Sequence, residues 1–398
     1  MSRFALVKTA RNAMVPLMLA CGSEAPTEPE SGPTLGLAAP STLSFRQVAA
    51  GGSHSCGLTS DGRVYCWGSN SQGEIGDGTT IQRSAPRAVA TGLRFRELHA
   101  GGFHTCGVTT EYRLYCWGRN FTGQLGNGAT PFSEAPNPVP LAVAGGRQYR
   151  QVRGGLEHTC ALTLANEAFC WGANLFGGLG DGTTTQRMEP VRVRGGHRFR
   201  QLSTGSYFTC GVTTDDRALC WGKNDHGQLG DGTMTPRSTP RAVARGILFR
   251  QINAGAQHGC AVTRGNRAYC WGRNIDGELG DGTKTGRLTP RAVAGGLTFR
   301  VISAGGQYTC AITLQSRAYC WGLNLNGQLG DGTTTGRLQP TPVAGGLPLH
   351  GVWTGAYHAC GVTTGERAYS WGSNEFGQIG DGTRSPPRLR PVPVAGAM

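Results

Sequence analysis

The chain repeats itself seven times. Units open on an aromatic or apolar residue at Phe45, Phe95, Tyr149, Phe199, Phe249, Phe299 and Leu349; six are fifty residues long and the second has fifty-four. Each unit carries W-G-x-N-x-x-G, beginning at Trp67, Trp117, Trp171, Trp221, Trp271, Trp321 and Trp371. A second run, L/I-G-D/N-G, follows and ends at Gly78, Gly128, Gly182, Gly232, Gly282, Gly332 and Gly382. Seven of the eight tryptophans therefore occupy one repeat position. A fixed period near fifty restricts the fold to a stacked or radial array, a solenoid or a propeller.

Local patterning selects the propeller. Each unit reads as short β runs, in the first Phe45–Ala49, His54–Thr59 and Arg63–Trp67, then a Gly-rich stretch and a Pro-flanked strand at Arg87–Ala90. No unit holds a window with the 3, 4 and 7 spacing of an amphipathic helix. Gly and Pro, 65 and 21 of 398 residues, exceed a fifth of the chain, against roughly 12 per cent on average. The pattern predicts an all-β, seven-bladed β-propeller over 45–398, with repeats 45–94, 95–148, 149–198, 199–248, 249–298, 299–348 and 349–398. The repeated Trp is expected to fill the space between blades. No stretch approaches the ~20 apolar residues of a membrane-spanning helix, which excludes a polytopic membrane protein.

The run Gly51–Thr79, G-G-S-H-S-C-G-L-T-S-D-G-R-V-Y-C-W-G-S-N-S-Q-G-E-I-G-D-G-T, resembles a repeat of the regulator-of-chromosome-condensation (RCC1-like) family. The resemblance covers all seven units, as in an exported bacterial member. It implies a propeller closed by strands from both chain ends sharing one blade. Function is not implied with the fold, since the family includes a guanine-nucleotide exchange factor, a plant UV-B photoreceptor and secreted β-lactamase inhibitors. The photoreceptor's chemistry needs Trp in a G-W-R-H-T run; no unit here has Trp in that slot, and Trp353 lies elsewhere.

Twelve cysteines form pairs ten apart: Cys56 with Cys66, Cys106 with Cys116, Cys160 with Cys170, Cys210 with Cys220, Cys260 with Cys270, and Cys310 with Cys320. With Ser60-Asp61-Gly62 as a three-residue hairpin loop and Gly62 left-handed, Thr59 faces Arg63, Leu58 faces Val64 and Cys56 faces Cys66. Directly opposed residues lie close enough for a disulfide. The alternatives are buried free thiols in a reducing compartment, or metal binding, for which the spacing is too wide. In the seventh unit Cys360 meets Ser370 and is left single; it is read as an inert buried thiol.

The fourteenth cysteine, Cys21, has its own setting. Arg3, Lys8 and Arg11 precede the apolar run Ala13–Ala20, and Met18-Leu19-Ala20-Cys21 resembles a lipoprotein cleavage box. On this reading 1–21 is a signal peptide, Cys21 is lipidated, and 22–44, rich in Pro and Glu, is a disordered tether. A plain secretory signal and a cytosolic tail are the alternatives.

The net charge is +14, and 35 of the 38 basic residues are Arg. One set follows the opening aromatic: Arg46, Arg96, Arg150, Arg200, Arg250 and Arg300. Another stands six residues beyond the D-G-T aspartate, at Arg83, Arg187, Arg237, Arg287 and Arg337, with Arg388 one place late. This second set is expected to form an arginine ring on one rim, suited to an anionic ligand or acidic protein. Unit two lacks the ring Arg and enlarges Ala129–Pro140, with Phe132 and Glu134 nearby; this loop, flanked by Arg83 and Arg187, is the expected border of a partner site. Non-repeating slots add recognition candidates. Before the repeated His stand Ser53, Phe103, Glu157, Tyr207, Gln257, Gln307 and Tyr357. After W-G-x-N stand Phe121, Leu175 and Phe176, Asp225 and His226, Ile275 and Asp276, and Glu375 and Phe376.

Catalysis finds no support. Five of the nine histidines share one slot, His54, His104, His158, His258 and His358, replaced elsewhere by Phe208 and Tyr308, which indicates packing. The D-G aspartates are turn residues without the alternation of a calcium loop, and no nucleophile, phosphate or zinc motif appears. The sequence predicts a non-enzymatic, monomeric binding module without metal or cofactor, exported or surface-tethered, recognising a protein or an anionic envelope ligand. Membrane contact is expected only through the anchor, and nucleic acid is not an expected partner. An inhibitor of a secreted enzyme, or an intracellular exchange factor or chromatin-associated scaffold, is the competing reading.

Overall fold

The computed structural model describes residues 43–129 and 133–396, the side chain of Arg245 excepted. The signal segment, Cys21, most of the tether and Phe132 lie outside them. Seven four-stranded antiparallel sheets form the blades, at 45–88, 95–142, 149–192, 199–242, 249–292, 299–342 and 349–393. In blade 1 the strands are β1 (Phe45–Ala50), β2 (His54–Thr59), β3 (Val64–Gly68) and β4 (Arg83–Ala88), hydrogen-bonded in that order. β1 and its equivalents line the axis, and the fourth strands form the rim. The molecule has two faces. Hairpin tips such as 60–62 and the links between blades lie on one; the turns at 51–53 and the long loops at 69–82 open on the other.

Among the described residues, no blade is shared between the chain ends. The resemblance implied a strand exchange, but each unit holds all four of its strands in order, so the last blade completes itself at Pro393. Closure instead repeats an ordinary joint: the Phe45 amide donates to Glu366 O (3.0 Å) as Phe95 does to Gly62 O (2.8 Å). The amide of Leu43 adds a bond to Gly396 O. The fourth strand also starts earlier than expected, because Arg83 pairs with Gly68 across a bulge while Val89 turns inward and is buried. Pro86 is tolerated there because the rim strand has a free edge. In blade 2 the same strand is Asn137–Ala142. Asn137–Pro140 is therefore sheet, and the enlargement of that unit ends before it.

The hairpin register is the expected one. Cys56 faces Cys66, Leu58 faces Val64, and the Thr59 amide donates to Arg63 O at 3.0 Å. All six expected disulfides are present. Cys56 is bonded to Cys66, Cys106 to Cys116 and Cys160 to Cys170. Cys210 is bonded to Cys220, Cys260 to Cys270 and Cys310 to Cys320. The twelve cysteines are thus neither free thiols nor metal ligands, and each bridge ties the two middle strands of its own blade. Gly62 takes φ +82° at the tip, and Tyr112, Asn166, Asp216, Asn266, Ser316 and Glu366 accept positive φ at the same slot. Cys360 is buried, with Ser370 Oγ at 3.2 Å; burial pushes its thiol up to about 11, against these hydroxyl contacts.

Each repeated Trp is wholly buried. In the first six blades it lies obliquely against the opening aromatic of its own blade, as Trp67 does against Phe45 with centroids 6.0 Å apart. It also presses on a Gly of the preceding blade: a Cβ at Gly76, which holds φ +77°, would stand 2.7 Å from Trp117 Nε1. That contact explains the second glycine-rich run. Truncating such a Trp to Ala removes a large buried side chain at a cost of about 3–5 kcal/mol.

Candidate functional site

The histidine slot is a joint between blades. His54 Nε2 lies 2.9 Å from Thr105 Oγ1, and Thr105 donates its only proton to Glu74 O at 2.9 Å. The imidazole must therefore donate through Nε2–H, which fixes the tautomer. Trp117 Nε1–H shares the same carbonyl at 2.9 Å. The histidine–hydroxyl contact recurs with His104–Thr159, His158–Thr209, His258–Thr309 and, across the closure, His358–Ser55, although Trp221 Nε1 beside Thr209 has no partner among the described residues. Where Phe208 replaces His, the partner slot holds Gly259; where Tyr308 does, it holds Ala359. At Phe208 donor and acceptor are lost together, whereas the Tyr308 hydroxyl donates instead to His358 O. Burial lowers the pKa of His54 and His158 to about 4 and of His104, His258 and His358 to about 3, with the Arg273 charge adding to the shift at His258 and neighbouring histidines adding to it at His104 and His358. Neutral and sealed from solvent, these rings are structural.

The expected arginine ring is already neutralised. Arg83 Nη2 lies 2.8 Å from Asp77 Oδ2, whose side chain is almost fully buried. Arg187, Arg237, Arg287, Arg337 and Arg388 repeat this pairing with Asp181, Asp231, Asp281, Asp331 and Asp381. Burial raises the Asp77 carboxyl, but hydrogen bonds from Thr79 and Arg83 and the Arg83 charge outweigh it and hold the pKa below the usual range. Asn70 completes the loop, donating to Thr79 O and Ile81 O and accepting from the Ile75 amide at 2.9–3.0 Å. W-G-x-N and D-G-T are thus one loop scaffold, in which each of these arginines is paired with an aspartate. Blade 2 lacks the pair: Asn127 accepts from Asn120 at 3.1 Å, and Asn137 donates to Gly118 O at 3.0 Å. Glu134 is exposed in its loop, but the flanking Arg83 and Arg187 are committed to their aspartates. The other arginine set braces neighbouring blades, as Arg46 does by donating to Phe95 O and Arg96 O.

The long-loop face gathers the remaining recognition candidates. Leu175, Ile275 and Leu325 share the fourth position after the repeated Trp and are 74, 60 and 71 % exposed. Phe103, Tyr357 and Phe376 are exposed on the same face. Phe176 and Tyr207 pack edge to face at 5.7 Å with Lys223 Nζ over them. Arg119 lies over Phe103 and Phe121 and pairs with Glu157 at 3.1 Å. The structure therefore brings Phe103, Tyr207 and Tyr357 onto one surface. Leu325, together with Ile81 and Met234, belongs to the same exposed set and was missed by the sequence reading, although Leu325 shares the slot of Leu175 and Ile275.

The axis holds a second unforeseen feature. Its lining includes Arg153, bound to Glu97 at 2.6 Å, with His99, His350 and Trp353. Burial raises Glu97 against the pull of Arg153, and burial with Arg153 drives His99 well below its ordinary value. The signal was available: the third and fifth positions of the first strands are polar in most units, which a buried sheet edge does not require.

The family profile described as RCC1-like domain matches residues 18–351, and that of the regulator of chromosome condensation (RCC1) repeat matches residues 354–378. The ultraviolet-B receptor UVR8 of Arabidopsis thaliana is 29 % identical over 148 residues, 37 % of this chain and 34 % of the receptor. The E3 ubiquitin-protein ligase HERC2 of Homo sapiens is 49 % identical over 43 residues, 11 % of this chain and 1 % of the ligase. The matches thus span about a third of the receptor and a small fraction of the ligase. Among solved structures, Prp20p from Saccharomyces cerevisiae, described with its binding to Gsp1p and histones, superposes with a TM-score of 0.75 at 21 % identity, covering 85 % of this chain and 87 % of that one. Human WBSCR16 superposes with a TM-score of 0.74 at 21 % identity, covering 81 % and 88 %. These structural likenesses are of fold alone, while the profile match over residues 18–351 establishes that this chain belongs to the RCC1-like family.

Proposed function

We propose that this protein is a non-enzymatic binding module of the cell exterior that holds a protein partner against its long-loop face. The observation that carries the reading is the set of apolar side chains raised on that face, Leu175, Ile275 and Leu325, above a scaffold whose recurrent polar groups are paired internally. Isolated exposed leucines are ordinary; three in one repeat slot, beside Phe103, Tyr357 and Phe376, form a surface of the kind partners cover. Six disulfides support an oxidising compartment, where such bonds persist. They weigh against the intracellular exchange reading. The test is site-specific photocrosslinking from positions 175, 275 and 325 in the producing cells, with exposed hairpin positions 164 and 314 as controls. A discrete protein adduct from the loop positions alone is expected. Adducts from the hairpin positions alone, or none from either, overturn the reading.

A further inference from the structure

The charge of the domain is not evenly spread, and its excess lies on the face opposite the long loops. The hairpin slot that follows the tip holds Arg63, Arg113, Arg217, Arg267, Arg317 and Arg367, all exposed, with Glu167 as the exception. Arg94, Arg147 and Arg198 add exposed guanidinium groups on the neighbouring links between blades. Acidic residues on this face are mostly engaged: Asp61 with Arg63, Asp215 with Arg217, Asp216 with Arg200 and Arg264, and Glu167 with Arg192 and Arg198. Glu366 accepts from Ser44 and Ser60. Among the described residues, no carboxylate pairs with Arg113, Arg267, Arg317 or Arg367. Arg113 and Arg317 reach only backbone, at Gly146 O and Gly346 O. Across the molecule, the loop-scaffold arginines cancel one for one against aspartates, so the net positive charge collects around the hairpin tips.

A second observation orients this face. Leu43, the first described residue, bonds Gly396 beside the hairpin of blade 7, where Phe45 meets Glu366. The chain that precedes the domain therefore joins it on the basic face. Segment 22–42 is all that separates that point from Cys21.

From these two facts we infer that the hairpin face is a docking surface for the anionic headgroups of the membrane that holds the protein, leaving the long-loop face turned outward to its partner. The inference deepens the proposed function and rests on its placement of the protein outside the cytosol and on the expected acylation of Cys21. Phosphate headgroups present a dense sheet of negative charge within a Debye length of a flat arginine ring, and guanidinium forks match phosphate oxygens. A seven-fold ring of short tips is broad and shallow. It suits a planar charged surface better than a single protruding ligand.

The test separates the surface from the anchor. The full chain bearing Cys21→Ser, which cannot be acylated there, is floated with vesicles of phosphatidylglycerol and phosphatidylethanolamine, or of phosphatidylcholine alone. Binding is expected to the anionic vesicles only, and to disappear in high salt. The variant R113Q/R267Q/R317Q/R367Q is expected to lose roughly tenfold or more in vesicle affinity. R87Q/R241Q/R291Q, which removes exposed charge from the rim strands, should lose much less. Circular dichroism checks that each variant keeps the parent's sheet. No flotation with anionic vesicles, equal losses in the two variants, or retention on DNA or heparin without vesicle binding overturns the inference. Mass spectrometry of Cys21 in the unaltered protein and the crosslinking above read the anchor and the partner independently, so failure of either is distinguishable from failure of this face.

Discussion

The joint at His258 and Thr309 can be taken apart in a way that the protein has already done once, at Phe208 and Gly259. Thr309→Ala removes the hydroxyl that accepts His258 Nε2–H at 2.9 Å and donates to Glu278 O at 2.9 Å. Glu278 O keeps the bond from Trp321 Nε1 at 3.0 Å, so the group left without a partner is the imidazole N–H, in a site that excludes solvent. A buried orphan donor costs about 1–3 kcal/mol, and the lost bonds add about 1 kcal/mol, giving about 2–4 kcal/mol for the single change. His258→Phe alone strands nothing, because Thr309 still donates to the carbonyl; about 1 kcal/mol is expected. Combined, the changes recreate the apolar pairing of Phe208 with Gly259. The double variant should therefore cost about 1–2 kcal/mol less than the sum of the singles. Urea unfolding followed by tryptophan fluorescence measures all four corners of the cycle. Singles that add to within about 0.5 kcal/mol would show that the hydroxyl and the ring are not coupled, and the reading of the slot as a joint would fail.

Three further outcomes follow from the same geometry. Ser370→Cys, opposite Cys360 in the register of the six existing bridges, should form a seventh disulfide and stabilise the domain by roughly 2–3 kcal/mol in the chain-entropy model; intact-mass analysis counts the thiols and thermal unfolding reads the gain, and no shift refutes it. The Cys360 thiol, raised to about 11 by burial, should resist alkylation at pH 8 in the native protein and react fully once denatured. As pH falls from about 6.5 towards 4, unfolded histidines take up protons that the joint histidines refuse at folded pKa values of about 3 to 4. Stability is therefore full above pH 6.5 and should fall below it by up to about 1.4 kcal/mol per pH unit for each ring; a flat urea midpoint between pH 7 and 5 contradicts the burial assignment.

The fold was legible because a propeller writes each structural demand seven times. Trp, Asn, the D-G turn and the ten-residue cysteine spacing recur because every blade must fill the same gap and close the same hairpin. Recurrence misled the reading of the arginines for the same reason. Arg83 and its equivalents repeat because each answers an aspartate six residues earlier, or seven at Arg388; a residue present in nearly every blade belongs first to the scaffold. The partner side was written in plain view, and only the geometry of a loop folding back on itself reveals that Asp77 faces Arg83. Binding candidates obeyed the opposite rule. Leu175, Ile275 and Leu325 share a slot with Asp225 and Glu375, a variation that packing would not allow. Which face that slot occupies depends on where the long loop emerges, and no local pattern states it.

Closure of the ring shows how one repeat can depart from the others without loss of the fold. Along the axis, a Gln of one blade caps the free backbone edge of the next. Gln201 bonds Ile252 N and O at 3.1 and 3.0 Å, and Gln251 bonds Ile302 N and O at 3.2 and 3.1 Å. At the same position blades 6 and 7 carry Val301 and Gly351, which have no amide to offer. Two residues on, blade 7 places Trp353, half-buried against the apolar cluster that blades 1 and 7 share. Gly351 makes room for it, since a Cβ there would collide with the indole. The seam between the last and first blades thus keeps the His358–Ser55 joint and the Trp67 bond to Gln378 O at 2.9 Å, while an aromatic wedge replaces the polar latch. A ring that shares no strand needs its final joint to hold as well as the others, and burying an indole supplies by area what the missing amide would have supplied by hydrogen bonds. The eighth tryptophan stands outside the repeat because it belongs to this single joint.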